Sequence, residues 1–239
     1  MKRRSTISGA IAVVASLVLA GSALAAFAGA NNGSFENGSY VDGGGGYQTL
    51  NVGATALTGW TISAGSVDWI GSFWTSQNGA RSVDLSGVDA GAISQHLLTT
   101  IGKTYSVTFY LAGNPAGTPA VKNLTVSATG ATSASYTFDT TGHSTTSMGW
   151  TLKEYAFSAT SADTLLTFTS LTTTSAGPAL DNIVVTETAA SSSTSGPGAA
   201  CKLGAWKTMT DKAGHQFRNQ GDCVSYYATK FKNTGAGAR

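Results

Sequence analysis

The stretch Tyr105–Ala112, YSVTFYLA, decides the fold class of this 239-residue chain. Large residues occupy its alternate positions, which is the period of a strand with one buried face: Tyr105, Val107, Phe109 and Leu111. Comparable short segments lie on both sides of it, separated by turns rich in Gly, Asn and Ser: SVDWI, RSVDL, AISQHLL, KNLTVSA, SYTFD, KEYAFSA, TLLTFTSL and NIVVTE. About nine short strands with regular turn signals predict an antiparallel β-sandwich, and therefore an all-β fold class.

The beginning of the chain is typical of an exported protein. Basic residues at positions 2–4 precede an apolar stretch at 7–20 and the small-residue site 23–25, Ala-Leu-Ala. This order is that of a secretory signal peptide, and we expect residues 1–25 to be removed. An uncleaved membrane anchor would need about 20 apolar residues, and this stretch is shorter. The mature protein is therefore expected to be secreted, extracellular or associated with the cell wall.

Composition and charge divide the rest of the chain into two modules. Residues 26–188 contain the strand-like segments, and residues 189–200 form an uncharged linker rich in Ser, Gly and Pro, followed by a basic module at 201–239. Four basic residues stand against ten acidic ones from Ala26 to Ala190, a net charge of −6, whereas seven stand against two from residue 201 onward, a net charge of +5. The opposite signs indicate two modules with different partners.

The C-terminal module contains the two cysteines of the chain, Cys201 and Cys223. In an exported chain we expect them to form a disulfide. So short a module has no room for a large core, and we expect it to depend on this bond, with Trp206, Phe217 and Tyr226 as its apolar centre. Its Lys and Arg residues would then face outward and attract anionic polymers such as teichoic acids. A solvated basic tail without a specific partner is the open alternative.

The sequence lacks the short motifs of common enzymes. It has no G-x-S-x-G elbow, no H-E-x-x-H, no C-x-x-C and no phosphate-binding G-x-x-x-x-G-K-[ST]. His96, His143 and His215 are far apart, and none has a second metal ligand at a short spacing. We therefore predict that the protein is not an enzyme. A glycosidase that uses scattered carboxylates such as Asp68 and Asp84 is the alternative, because such a pair need not be close in sequence.

A polar pair precedes the last apolar run of the sandwich. In GPALDNIVVTE, residues 177–187, Asp181 and Asn182 come directly before Ile-Val-Val, and burying a carboxylate without a partner costs several kcal/mol. The segment NNGSFENG near the mature N-terminus would lie beside this run if the terminal strands pair. Glu36 and Asp181 could then share an oxygen-only calcium site. The alternative is that Glu36 caps a turn and that Asp181 accepts hydrogen bonds from backbone amides at the rim of the sandwich.

Four tryptophans of the sandwich could stack on sugar rings: Trp60, Trp69, Trp74 and Trp150. Trp60 in LTGWTI and Trp69 in SVDWIG are surrounded by apolar residues, so we expect both in the core. Trp74 lies in the polar, turn-rich stretch SFWTSQNG and is predicted to form a solvent-facing platform, with burial as the alternative. Trp74 and Asn114 are the predicted ligand-binding residues.

Five segments together resemble the choice-of-anchor C family of exported bacterial proteins: NGSFENG, LTGWTISAGSVDWIGSFW, GARSVDLSGVDAGAISQHLLTTIGKTYSVTFYLAGNP, SMGWTLKEYAFSA and GPALDNIVV. This family is similar to plant cell-wall proteins that carry a conserved domain of unknown function, and the resemblance covers about residues 32–188. It implies a galactose-binding-like jelly-roll β-sandwich, a fold whose members often bind carbohydrate without cleaving it. It also implies a structural calcium near the paired terminal strands, with Glu36 and Asp181 at the matching positions.

The C-terminal module departs from the usual surface anchors of that family, because it has neither L-P-x-T-G nor a terminal hydrophobic span. It resembles a short cysteine-bounded tail of exported actinobacterial proteins, of the form C-K-x-G-x-W-K followed by F-x-N-Q-G-x-C-V-S. The resemblance does not assign a function to the tail.

The residues and the resemblance together predict a secreted, non-catalytic protein that binds carbohydrate or another cell-envelope polymer. An extracellular glycosidase is one alternative, and an adhesive or structural surface protein that binds another protein is the other. We expect no nucleic-acid partner and no membrane association after signal cleavage. Neither the identity of the ligand nor the oligomeric state follows from the sequence.

Overall fold

The computed structural model describes residues 29–188, 201 and 205–229 of the chain. The predicted signal peptide and the predicted linker lie outside the described residues. The described part forms eleven strands: β1 (Tyr47–Asn51), β2 (Thr61–Ala64), β3 (Ser66–Ile70), β4 (Ser82–Asp84), β5 (Ala92–Leu98), β6 (Thr104–Gly113), β7 (Val121–Ala128), β8 (Ala134–Asp139), β9 (Thr151–Ser158), β10 (Asp163–Ser170) and β11 (Pro178–Thr188). A short 3-10 helix, Ala205–Lys207, and an α-helix, α1 (Gln220–Ala228), follow. None of the helices in these described ranges has the length and apolar character needed to span a membrane.

The strands form two antiparallel sheets that pack face to face. The six-stranded sheet has the order β1-β3-β4-β11-β6-β9, and the five-stranded sheet has the order β2-β5-β10-β7-β8. Large side chains from both sheets meet between them, and the rings of Phe109 on β6 and Phe168 on β10 lie edge to face with centroids 5.2 Å apart. The predicted all-β fold, a sandwich of two antiparallel sheets, is confirmed.

The stretch that predicted the fold lies in β6, and its alternate large residues are buried. Two strands, β1 and β2, have no counterpart among the predicted segments. Both are edge strands, and each buries only one side chain, Leu50 in β1 and Ile62 in β2. An edge strand pairs on one side only, so short, mostly polar sequences such as YQTLN and TISA are sufficient there.

A β-bulge accommodates the polar pair in β11. The register between β11 and β6 shifts between Asp181 and Val184, and Asn182 has a φ of 49°, in the left-handed region that Asn tolerates better than most residues. The N-terminal segment lies alongside, because the Ile183 amide donates to the Gly33 carbonyl at 2.8 Å. A Cβ on Gly33 would overlap the carbonyl oxygen of Ile183, so this close approach requires glycine.

The C-terminal module has its own small core. Cys201 and Cys223 form the predicted disulfide, with Cα atoms 5.7 Å apart. Phe217 and Tyr226 are buried beside it, and the half-exposed Trp206 packs against them. The sequence analysis did not predict helix α1, whose N-cap residue Asn219 accepts a hydrogen bond from the Asp222 amide.

Candidate ligand-binding site

Polar side chains form a row on the six-stranded sheet, on the face that points away from the core. Thr49 on β1 pairs with Asp68 on β3, and Asp68 pairs with Asp84 on β4. Their strand neighbours Val67 and Val83 belong to the core, so alternation along the strands places the row on the opposite face. All of β3 and β4 is nevertheless buried, because loops cover this face as well.

The loops leave a depression of about 500 Å³ above the row. We call it the Asp68 depression, and its lining residues are Tyr47, Thr49, Asp68, Ile70, Phe73, Gly87, Val88, Asn114, Ala116, Gly117, Ser175 and Ala176. Its volume lies in the range of about 300–1,000 Å³ that is usual for small-molecule sites.

Asp68 provides an acceptor that is available to a ligand. Its Oδ1 accepts a hydrogen bond from the Thr49 hydroxyl at 2.6 Å, whereas its Oδ2 accepts no hydrogen bond from the described residues. The residue is only 8 % exposed, and burial raises the pKa of its carboxyl, opposed by the Thr49 hydrogen bond. A ligand that donates to Oδ2 would give a hydrogen bond to the one carboxylate oxygen of this otherwise buried residue that the described residues leave free.

Asp84 lies behind the depression and is closed to a ligand. It is 0 % exposed; its Oδ1 accepts from the amides of Ser86 at 2.9 Å and Gly177 at 3.0 Å, and its Oδ2 accepts from the side-chain amide of Asn114 at 2.9 Å. Burial raises the pKa of Asp84 to about 7, although these hydrogen bonds lower it, and the nearby Asp68 adds to the rise. Because only Asp68 reaches the surface, the two carboxyls are not placed as the pair of a glycosidase.

A buried lysine holds two walls of the depression together. The Nζ of Lys122, on β7, donates to the carbonyls of Gly117 and Ala176, each at 2.7 Å, and both of these residues line the depression. Burial lowers the pKa of this amine, and Asp84 opposes the shift. The ammonium therefore contacts backbone oxygens behind the wall and does not line the depression.

Aromatic rings form another wall, and Trp74 supports it from behind. Tyr47 and Phe73 are half-buried, and their rings meet edge to face with centroids 5.6 Å apart. Trp74 packs against Phe73 at 5.6 Å, is only 4 % exposed and donates from Nε1 to the Ser82 hydroxyl at 2.8 Å. The prediction of Trp74 as a solvent-facing platform is therefore wrong, because the loop turns this ring toward the sheet and presents Phe73 instead.

The other predicted aromatic and polar residues have defined places. Trp60 and Trp69 belong to the core, as expected. Trp150 is half-buried and donates from Nε1 to the Thr75 carbonyl at 3.0 Å. Asn114 lines the Asp68 depression, but it is buried and its amide is bonded to Asp84, so it shapes the wall; its predicted role in ligand binding stays a prediction.

Backbone amides compensate the buried charge of Asp181. Its Oδ2 accepts from the amides of Gln77 at 2.8 Å and Asn78 at 2.9 Å, and its Oδ1 accepts from the Asn182 amide at 2.6 Å. Burial raises the pKa of Asp181 to about 7 against the effect of these hydrogen bonds, and the nearby charge of Glu36 raises it further. The residue anchors the loop that carries Trp74 to the sheet.

Glu36 binds the same loop from the other side. Its Oε1 accepts from the amides of Ala80 and Arg81, both at 2.8 Å. Calcium needs six to eight oxygen ligands, yet the oxygens of Asp181 and one oxygen of Glu36 face N–H donors, so this arrangement does not fit a calcium site. Within residues 29–188, 201 and 205–229, no group of three or more His, Cys, Asp or Glu side chains is placed to hold a metal ion. The calcium site stays a prediction.

A second, wider groove of about 770 Å³ lies against β5 and the segment before β2. Leu98, which is 76 % exposed, and His96 line it, and the His96 ring meets the carboxylate of Asp163 at 2.9 Å. Gln95 also lines this groove, but its side chain is already bonded to backbone groups of Asn31 and Gly59. Among the residues that line this groove, Trp60 is the one with a large aromatic side chain, and it is buried, so the groove has no half-exposed aromatic wall.

Three residues of the site were not predicted from the sequence: Tyr47, Phe73 and Lys122. A signal for Lys122 exists in the segment KNLTVSA, where the lysine shares the alternating buried face with Leu124 and Val126. A charged residue on an apolar face indicates a buried partner. Tyr47 and Phe73 carry no comparable signal, because each lies in a polar, Gly-rich stretch.

Comparison with known proteins identifies the family. The family described as "Protein of unknown function (DUF642)" matches residues 29–186, and the chain belongs to it. This confirms the coarser part of the resemblance, a shared domain of unknown function; the choice-of-anchor C family and the actinobacterial tail stay predictions. Halomucin of Haloquadratum walsbyi is 45 % identical over 85 residues, which are 35 % of this chain and 1 % of halomucin.

Solved structures with a similar fold include three carbohydrate-binding modules. A family 16 carbohydrate-binding module has 17 % identity and a TM-score of 0.42, over 66 % of this chain and 99 % of the module. A family 61 module in complex with beta-1,4-galactotriose has 16 % identity and a TM-score of 0.40, over 66 % and 96 %. A family 35 module from Paenibacillus barcinonensis has 21 % identity and a TM-score of 0.39, over 59 % and 99 %. Similarity at this level carries no argument about a ligand.

Proposed function

We propose that this member of a family without an assigned function is a secreted, non-catalytic protein that binds carbohydrate or another cell-envelope polymer, and that it holds a sugar in the Asp68 depression. The proposal depends on the lining of the depression. Export agrees with the disulfide of the C-terminal module, because such bonds persist mainly outside the reducing cytoplasm.

One observation carries the proposal: a half-exposed aromatic wall stands beside a carboxylate oxygen of Asp68 that accepts no hydrogen bond from the part of the chain that the structure describes. The rings of Tyr47 and Phe73 offer an apolar surface, on which the C–H face of a pyranose can stack. Asp68 Oδ2 can accept from a sugar hydroxyl, and the hydroxyls of Thr49 and Ser175 line the same space. Apolar contact with a few convergent polar groups is what a small-ligand site requires.

Binding without cleavage agrees with the accessible groups. A glycosidase of the usual kind needs two carboxyl groups that both reach the scissile bond, and only Asp68 is open to the depression. The interpretation as a protein-binding adhesin stays an alternative, which the experiment below includes.

Retention of the purified chain on insoluble polysaccharides and on cell walls tests the proposal. We expect Phe73→Ala and Asp68→Asn each to lower the affinity for the retained polysaccharide by about tenfold or more, because each removes one contact of about 1–2 kcal/mol. Asp163→Asn and Leu98→Ala are the matched controls, since both lie at the second groove or its rim and are expected to bind as the unaltered chain does.

Three outcomes would contradict this proposal. Loss of retention in Leu98→Ala but not in Phe73→Ala would place the ligand in the second groove. Release of soluble sugar products would identify an enzyme. Saturable binding to a protein, without any binding to polysaccharide, would support the adhesive function.

A further inference from the structure

The charges around the Asp68 depression indicate which kind of sugar it accepts. Among its lining residues, Asp68 is the one with an acidic side chain, and none is Lys, Arg or His. Asp84 lies directly behind, paired across the strands with Asp68. An anionic ligand would therefore meet the carboxylate of Asp68 at the surface, with no cation in the lining to compensate its charge.

The buried cation Lys122 does not line the depression. Its Nζ lies behind the wall and donates to the carbonyls of Gly117 and Ala176. Asp68 is therefore the charged side chain that the lining presents to a ligand. Interactions of charges in such partly desolvated places are stronger than in water.

We infer that the Asp68 depression prefers a sugar that carries a protonated amine, as a de-N-acetylated hexosamine does, over the same sugar in its N-acetylated, neutral form. This inference rests on the proposed function. The aromatic wall holds the ring of the sugar, and the ammonium donates to Asp68 Oδ2, which accepts no hydrogen bond from the described residues. A charge-assisted hydrogen bond of this kind is stronger than the bond from a hydroxyl. The carboxylate of Asp68 repels sugars that carry a carboxylate, such as uronic acids, and the depression therefore excludes them.

The test is calorimetric titration of the full mature chain with three oligosaccharides of equal length. They are a glucosamine oligomer, its fully N-acetylated counterpart and a galacturonic acid oligomer, at a pH at which the amine is protonated. We expect the glucosamine oligomer to bind about tenfold more tightly than the N-acetylated one, which corresponds to one charge-assisted contact, and the galacturonic acid oligomer not to bind. Asp68→Asn is expected to remove the preference, while Asp163→Asn retains it.

The results separate this inference from the proposed function. Equal or tighter binding of the neutral or acidic oligomer overturns the preference for an amine and leaves carbohydrate binding in place. A preference that persists in Asp68→Asn also overturns it, because the selectivity would then come from another part of the surface. If none of the three oligomers binds but an insoluble neutral polysaccharide retains the chain, the inference fails alone; if nothing is bound in either experiment, both fail.

Discussion

The sandwich and the C-terminal module are each stabilised by a hydrophobic core, but the two cores differ greatly in size. The sandwich buries large residues from both sheets in one continuous core, and hydrogen bonds hold the fully buried charged groups Asp84, Lys122 and Asp181 around it. The hydrophobic core of the module, within its described residues, consists of Cys201, Phe217, Cys223 and Tyr226, and two of these form its disulfide. A large core can thus stabilise a fold without a covalent bond, whereas a small one depends on such a bond.

The largest expected effect comes from the aromatic core of the sandwich. Trp74→Ala and Trp60→Ala should each lower the free energy of unfolding by about 3–5 kcal/mol, because each truncates a buried ring and leaves a hydrogen-bond acceptor without its donor. Urea denaturation followed by fluorescence measures both. Leu152→Ala is the control, since this leucine is 58 % exposed and its truncation should change stability by less than about 0.5 kcal/mol. A Trp74→Ala variant as stable as Leu152→Ala would show that Trp74 is not part of the core.

The next effect concerns the disulfide. Replacing both Cys201 and Cys223 by Ser should destabilise the module by about 3 kcal/mol, because the bond closes a loop with a sequence separation of 22. The melting transition of the sandwich should stay unchanged. Limited proteolysis followed by mass spectrometry would detect cleavage within 205–229 of the double variant only. A module that resists the protease equally with and without the bond would contradict the comparison drawn above.

A smaller effect is expected from pH. Because burial raises the pKa of Asp84 and of Asp181 to about 7, the folded protein binds more protons than the unfolded chain between about pH 4 and pH 7. The stability due to these groups is then complete at the acidic end and is lost as the pH rises, by about 2 kcal/mol per group between pH 5 and 7.

Denaturation curves at several pH values, for the unaltered chain and for Asp84→Asn and Asp181→Asn, measure this dependence. Hydrogen bonds lower the pKa values of Asp139 and Asp211. These two groups therefore affect the stability at a lower pH than Asp84 and Asp181 do. We expect each variant to have a flatter pH profile than the unaltered chain. If the stability rose from pH 5 to pH 7, the hydrogen bonds from amide donors would lower the pKa of both carboxyls by more than burial raises it.

The smallest effect is expected from calcium removal. If calcium binds between Glu36 and Asp181, a chelator should lower the melting temperature, and Asp181→Ala should remove that sensitivity. Because amide donors already bond to both carboxylates, we expect the shift to be the smallest of the four. Elemental analysis of the purified chain is the second measurement; absence of calcium together with an unchanged melting curve would rule the site out.

The sequence by itself determined the all-β fold, the core positions of Trp60 and Trp69, and the pairing of Cys201 with Cys223. The strands and core positions could be predicted because alternation along a single strand shows which of its faces is buried. The disulfide could be predicted because two cysteines in an exported chain can form one pair only. The neighbourhood of Glu36 and Asp181 could also be predicted, because the segments that carry them lie near the two ends of the sandwich.

Only the tertiary structure decided the site. Alternation predicts one buried face for a strand, but loops cover the second face of β3 and β4, and no local pattern predicts where a loop packs. That packing turned Trp74 inward, left Phe73 half-exposed, and gave one oxygen of Asp68 no donor among the described residues. The same packing brought the backbone amides of Gln77 and Asn78, more than a hundred positions away in the chain, into hydrogen-bond contact with the carboxylate of Asp181. The reason is physical: burial and hydrogen bonding of a loop residue depend on contacts between distant segments, which form only when the two sheets and their loops come together.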